Sequence, residues 1–248
     1  MTAVAVLASL LAASPPTGAA RPPVALIASP AHVALTGSAR APVAVTNSGT
    51  EPVVVDVARA GFALDLRGRP RAVSRRSSWL AVVPRSLVLA PGATAPLTVS
   101  AKVPRRAQPG DHPELVLLTT RPSARRGLPV RLRLGVVVVV RAPGKVVHRV
   151  EAVAVHSRRA GRGRRLEVLL ANRGNVTETV RGSCASVTLQ RGARLVARLR
   201  APRRELLPRT RGLVDLRYAG RVRGRVAARV VLLRACGGLR ARTFVLRL

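Results

Sequence analysis

Short stretches of alternating apolar and polar residues recur along this chain. Val130-Arg131-Leu132-Arg133-Leu134 sets aliphatic side chains on one face of an extended segment and arginines on the other, as a strand with one wet face requires. Residues 195–200 and 240–248 alternate in much the same way. Residues 136–140 are valine throughout, apolar on both faces, and predict a central or interface strand. Nineteen Pro and 20 Gly are spread between the apolar runs. That punctuation predicts many short strands and turns rather than long helices.

The order of these segments repeats. Ala41-Pro42-Val43-Ala44-Val45-Thr46-Asn47-Ser48-Gly49 is a strand entering an Asn-x-Gly turn, and Leu166 to Gly174 presents the same device again at Asn172-Arg173-Gly174. Asn and Gly both tolerate the left-handed backbone such turns use. Leu87-Val88-Leu89-Ala90-Pro91-Gly92 follows the first, and Glu205-Leu206-Leu207-Pro208 follows the second. Each unit then has a further strand, a Gly-marked connection and a final strand. About seven short strands per hundred residues is the spacing of an immunoglobulin-like sandwich. The fold class expected is therefore all-β: two tandem immunoglobulin-like antiparallel β-sandwich domains after an N-terminal signal segment. The expected bounds are 1–20 for the signal, 24–142 for the first sandwich and 145–248 for the second. Ala142-Pro143-Gly144 makes a short linker between them.

Composition agrees and adds an unusual surface. The chain has 248 residues, 48% hydrophobic but only 2% aromatic: Trp79, Tyr218, Phe62 and Phe244. Val-rich cores of this kind suit pleated, half-buried surfaces. Formal net charge is +34, from 44 Lys and Arg against 10 Asp and Glu. The excess is larger in residues 145–248, with 26 cations and five carboxylates, than in residues 1–144, with 18 and five. Genomic codon supply and function account equally well for arginine over lysine. In either case such a surface attracts polyanions, with a strength that falls as salt rises. Candidate anion-binding residues are Arg158, Arg159, Arg162, Arg164, Arg165, Arg203, Arg204, Arg221, Arg223 and Arg225.

Residues 3–13 are apolar, a Pro pair follows, and Gly18-Ala19-Ala20 offers small residues for cleavage. This predicts a signal peptide cut after Ala20, although no cation precedes the apolar core. The alternative is a buried first strand. No later segment is long and apolar enough to span a membrane, so no transmembrane helix is expected in the mature chain. Two cysteines, Cys184 and Cys236, fit export as one disulfide. Two unrelated buried thiols are the alternative.

The motifs Asn47-Ser48-Gly49, Trp79-Leu80, Leu89-Ala90-Pro91-Gly92, Val103-Pro104 and Pro109-Gly110-Asp111 resemble the Ig-like domain of Gram-positive surface proteins. These are of the WxL-interacting, peptidoglycan-binding type, related to bacterial NPCBM-associated and pilus-chaperone-like sandwiches. The resemblance covers residues 24–142, and the second half looks like the companion Ig-like domain. It implies a wall-associated, non-catalytic adhesion module at the bacterial cell surface.

A search for chemistry finds little. No Gly-x-Ser-x-Gly elbow or phosphate loop occurs, and no two carboxylates suggest acid/base work. His32, His112, His148 and His156 show no ligand spacing to Cys or carboxylates. No enzyme activity, cofactor, metal or catalytic residue is expected. Trp79 reads as the plug of the first core or, if exposed, as a sugar-stacking platform. The expected partner is an anionic cell-wall polymer or phospholipid surface, or another envelope protein, with the second domain docking electrostatically. A chaperone-like assembly module working by β-strand pairing is the second reading, marked by an unpaired strand at residues 129–140 or 242–248. A nucleic-acid binder is the third. Export and the shortage of stacking aromatics weigh against it.

Overall fold

The computed structural model describes residues 21–74, 78–122, 131–237 and 240–248. The signal-segment expectation for residues 1–20 lies outside them, as does Val130. The first domain contains β1 (Leu26–Ser29), β2 (His32–Thr36), β3 (Arg40–Asn47), β4 (Val53–Leu64), β5 (Pro70–Val73), β6 (Leu80–Val83), β7 (Ser86–Leu89), β8 (Thr94–Ala101), β9 (Gly110–Thr120) and β10 (Arg133–Ala142). One sheet has the order β1-β3-β8-β6. The facing sheet runs β2-β10-β9-β4-β5, and β7 also pairs with β4. β2 lies parallel to β10; the remaining pairings in this domain are antiparallel.

The second domain contains β11 (Val150–Ala160), β12 (Gly163–Asn172), β13 (Glu178–Val180), β14 (Ala185–Arg191), β15 (Arg194–Arg200), β16 (Arg204–Leu206), β17 (Arg211–Tyr218), β18 (Arg225–Leu232) and β19 (Arg240–Arg247). A single 3-10 turn, Arg234–Cys236, is the only helical element among the described residues. Sheet order is β11-β12-β17 in one sheet and β15-β14-β18-β19 in the other, and β13 and β16 make a separate small pair. Two tandem β-sandwiches therefore form, each around its own aliphatic core. Val43, Val45, Val55, Leu97, Val99, Leu118 and Val138 centre the first core. Leu166, Leu170, Leu189, Leu206, Ala228 and Leu232 centre the second. Cys184 and Cys236 are disulfide-bonded, with Cα atoms 5.7 Å apart, and tie the start of β14 to the 3-10 turn.

The repeated Asn-x-Gly segments are the same knot built twice. Asn47 Oδ1 accepts the Gly49 N–H at 3.0 Å, while its Nδ2 donates to the Glu51 and Leu89 carbonyls. Asn172 Oδ1 accepts the Gly174 N–H at 2.9 Å, and its Nδ2 donates to Val176, Leu206 and Leu207. Both side chains are essentially fully buried. The glycines are needed for room, and not for the left-handed backbone expected from the sequence, since neither has positive φ. A Cβ on Gly49 would lie 2.5 Å from the Pro23 carbonyl oxygen, and one on Gly174 would lie 2.2 Å from that of Val147. The turn that each knot grips does use the left-handed region. Gly92 holds it in the first domain at φ 76°, and Arg209 in the second at φ 58°.

One strand keeps its sequence pattern and another departs from it. Residues 137–140 of the valine run lie inside the sheet between β2 and β9, as their two apolar faces predict, and Val136 is paired on the β9 side. The strand that contains it begins at Arg133 and runs on to Ala142. In β19 the alternation does not sort arginines from aliphatics. Arg242 stands opposite buried Val230, on the face that carries Phe244 and Leu246. Its guanidinium lies 5.2 Å from the Phe244 ring and donates to the Ala152 carbonyl on β11, closing the mouth of the sandwich with a charge.

Candidate functional site

Among the described residues, contacts between the two domains gather at the linker, where Arg209 also donates to Gln108 Oε1 at 2.6 Å, and at the far end of the β4–β5 hairpin. At the linker, Asp111 at the start of β9 accepts from the Arg141 guanidinium at 2.6 Å and from the Thr177 N–H of the second domain at 2.8 Å. The Asp111 N–H donates to the Asn175 carbonyl, and Asn175 Nδ2 donates back to Pro109 and Lys145. Burial works to raise the Asp111 pKa, but Arg141 and the Thr177 N–H outweigh it and hold the carboxyl below its ordinary value. At Gly110, φ is 113° and a Cβ would meet the Asn175 oxygen at 2.0 Å, so only glycine fits this crossing. At the far end, the β4–β5 hairpin reaches the second domain. Arg67 lies 3.3 Å from both Glu167 and Asp215, and the Leu213 N–H donates to the Leu66 carbonyl at 2.6 Å.

A cleft of about 780 Å³ lies beside the linker, with walls from both domains. Trp79, His112, Gln108, Asn175 and Arg209 are among its lining residues. Trp79 is half-buried against the first core and leans on His112, with ring centroids 4.4 Å apart. It is thus neither a fully enclosed plug nor a free platform. His148, which the sequence left without a carboxylate, has Glu178 2.7 Å from its Nδ1. No cluster of three potential metal ligands occurs among the described residues.

The main feature at the first domain's edge is the first half of β10. β2 pairs with β10 only from Val137 onward. Leu132 exchanges its bonds with Thr120 on the β9 side, whereas the Val137 N–H points the other way, to the Ala31 carbonyl. Alternation therefore turns the N–H and C=O of Arg133 and Gly135 outward, beyond the end of β2. The side chains alternate as well: Leu134 and Val136 face the core, while Gly135 is exposed and bare. The outer face of the sheet beside this edge is apolar, with Val137, Val139, Leu115 and Leu117 in adjoining rows. The other edges of the first domain are strands of four or five residues. On β6 the Leu80 carbonyl is already taken by Arg59.

The ten candidate arginines fall on the β11–β12 hairpin, in or beside β16, and in and just after the 219–224 loop. Arg158 pairs with Glu167 at 2.9 Å. Arg159 stands opposite Arg164 next to the hairpin tip at Arg162. Arg164 and Arg165 line a shallow groove with Asp215 and Arg217. Arg203 is exposed beside β16, and Arg204 donates to the Arg67 carbonyl at the domain interface. Arg221 and Arg223 lie in the 219–224 loop, where Arg223 donates to Gly220, and Arg225 stands on β18 opposite Arg247.

No protein-family model matches this sequence, and no curated protein matches it. Solved structures do match its fold. A chain of the chaperone–tip adhesin complex of CFA/I fimbriae biogenesis is similar at TM-score 0.51 and 12% identity, with 89% of this chain and 98% of that one covered. The class 5 fimbriae chaperone CfaA is similar at TM-score 0.50 and 12% identity, with the same coverage. A chain of the CsuC–CsuE chaperone–tip adhesion subunit pre-assembly complex of Acinetobacter baumannii is similar at TM-score 0.50 and 11% identity, covering 90% and 98%. These likenesses define the class of fold: the two-sandwich architecture of fimbrial chaperones.

They overturn two expectations. The resemblance to WxL-interacting, peptidoglycan-binding surface proteins does not stand, because the structures sharing this fold over nearly its full length are fimbrial chaperone chains and complexes. Of the motifs that suggested it, Asn47-Ser48-Gly49 and Leu89-Ala90-Pro91-Gly92 form the first buried Asn knot and its turn, and Pro109-Gly110-Asp111 forms the domain junction, roles that are structural. The partner expected from charge, an anionic wall polymer or phospholipid surface, is likewise replaced. The complexes among the similar structures are with protein subunits. No helix among the described residues is long and apolar enough to cross a membrane.

Proposed function

We propose that this protein is a non-catalytic assembly chaperone of the bacterial envelope that holds a partner subunit by β-strand pairing on the open half of β10. The observation that carries this reading is the outward row of backbone groups at Arg133 and Gly135, uncovered by β2 and flanked by apolar sheet. An edge of this kind takes an extended segment through main-chain hydrogen bonds, with alternate side chains adding selectivity. Gly135 brings no side chain of its own to the outer face, and the Leu115 side chain packs over it, 3.0 Å from where a Cβ would stand. The likeness in fold to the chaperone CfaA, and to chains of chaperone–subunit complexes, supports the same reading. The disulfide suits an oxidising compartment outside the cytoplasm. β19 is the weaker candidate edge, since Arg242 bridges it to β11 and a charge there opposes pairing.

The test is co-expression with a β-rich envelope subunit from the same host, followed by amide exchange on the purified complex. The N–H groups of Arg133 and Gly135 should become protected on binding, and Gly135→Pro should weaken the complex without lowering the melting temperature by more than a few degrees. Protection confined to β19 or to the cleft, with β10 unchanged, would refute the assignment.

A further inference from the structure

Among the described residues, the arginines on the outer face of the β15-β14-β18-β19 sheet make no ion pair. Antiparallel partners point to the same side, so the register defines its rows. Arg200, Ser186, Val231 and Ala241 form one row, and Arg198, Thr188, Arg229 and Thr243 form the next. Gln190, Ala227 and Val245 follow, and Arg225 stands opposite Arg247 at the end. The inner positions between them, such as Val230, Ala228 and Val226, are buried. The four strands contain no Asp or Glu, and neither does any residue from 216 to 248. None of Arg198, Arg200, Arg225, Arg229 and Arg247 takes part in an ion pair among the described residues.

The opposite sheet shows the contrast. Its outer face carries Glu167 and Asp215, and these receive Arg158 and the first domain's Arg67. The opposite face thus carries carboxylates that are paired within the chain, beside Arg165 and Arg217, whereas this one carries arginines and no carboxylate. Repeating arginines in neighbouring rows repel one another at low salt, so a flat face of this composition is stabilised by an acidic partner. The chemistry of the face selects among acidic partners. Arginines interleaved with Ser and Thr hydroxyls, at strand spacings of about 4.8 Å and about 6.8 Å along each strand, suit carboxylates displayed on another sheet or extended segment. Arginine meets such carboxylates in bidentate fashion. The face has no aromatic side chain on which a base could stack, because Phe244 points inward.

We infer that this sheet face is a second docking surface, for an acidic face of a partner protein. It lies on a different domain from the open edge of β10 and does not depend on the chaperone reading. The probe is a fluorescent, end-blocked dodecapeptide of alternating Glu and Thr, with six carboxylates, titrated into the full chain by anisotropy. Exchanging Arg198, Arg225, Arg229 and Arg247 for Gln should lower its affinity about 30-fold, from four surface pairs of about half a kcal/mol each. A charge-matched control, with Arg40, Arg85, Lys102 and Arg105 of the first domain changed to Gln, should lower it less than about threefold. Equal losses in the two variants would show a response to net charge alone and overturn the inference, as would absence of binding. Tighter binding of heptathymidylate, with the same six charges, would reassign the face to phosphate and overturn it as well. Both variants should keep the wild-type melting profile, which separates loss of the face from loss of the fold.

Discussion

The buried knot at Asn172 offers the most direct test of how this fold is held. Replacing Asn172 with Ala removes the acceptor for the Gly174 N–H and the donor to the carbonyls of Val176, Leu206 and Leu207. Leu207 keeps the Thr210 N–H and hydroxyl, so two groups, Gly174 N–H and Val176 C=O, are the minimum left without these bonds. Orphaning a buried backbone group costs about 1–3 kcal/mol, which sets the expected loss at about 3–4 kcal/mol. For a domain of about a hundred residues that is a fall in melting temperature of about 15–20 °C. Asn172→Asp is the sharper variant. It keeps the acceptor for Gly174 but turns a carboxylate oxygen toward three carbonyl oxygens, so it should be worse than Ala at neutral pH and recover in part on protonation.

The assay is thermal unfolding read by two intrinsic probes. Trp79 is the only Trp and reports the first domain; Tyr218 is the only Tyr and reports the second. The Asn172 variants should lower the tyrosine transition first, and Asn47→Ala the tryptophan transition. A cost below about 1 kcal/mol for Asn172→Ala, or an Asp variant as stable as wild type, would refute the argument that this amide organises the second domain.

Other outcomes follow from the same structure. The folded-state pKa of Asp111 is depressed, so its contribution to the domain junction is present above the ordinary aspartate value and is lost as pH falls through the folded one. Exchange of the Thr177 amide should therefore accelerate below about pH 4, and Asp111→Asn should abolish that pH dependence. Gly92→Ala meets no atom within 4 Å, so its cost, read by denaturant melts, should be the left-handed backbone penalty alone, about 1–2 kcal/mol. Reduction of Cys184–Cys236, which closes a separation of 52 residues, should destabilise the second domain by about 4 kcal/mol in the chain-entropy account. Tyr218 fluorescence during denaturant unfolding with and without reductant measures it.

Local pattern alone determined a good deal about this protein. Period-two alternation, Pro-Gly punctuation and the repeated Asn-x-Gly and Leu-x-Pro segments specified two β-sandwiches, because strand periodicity and turn chemistry are encoded within a few residues. The pairing of Cys184 with Cys236 needed only their number and an exported setting. The reason for the glycines after Asn47 and Asn172 was hidden, since close approach to the Pro23 and Val147 carbonyls depends on segments that are distant or folded back. Charge was legible as a total but not as a surface. Arg67, Arg158 and Arg204 are taken up at or beside the domain interface, whereas Arg198, Arg229 and Arg247 come together only through strand register. The open half of β10 is the clearest case. The sequence marked residues 129–140 as a strand, but only the point where β2 begins to pair, at Val137, decides which of its backbone groups remain for a partner. That register is a property of the whole sheet.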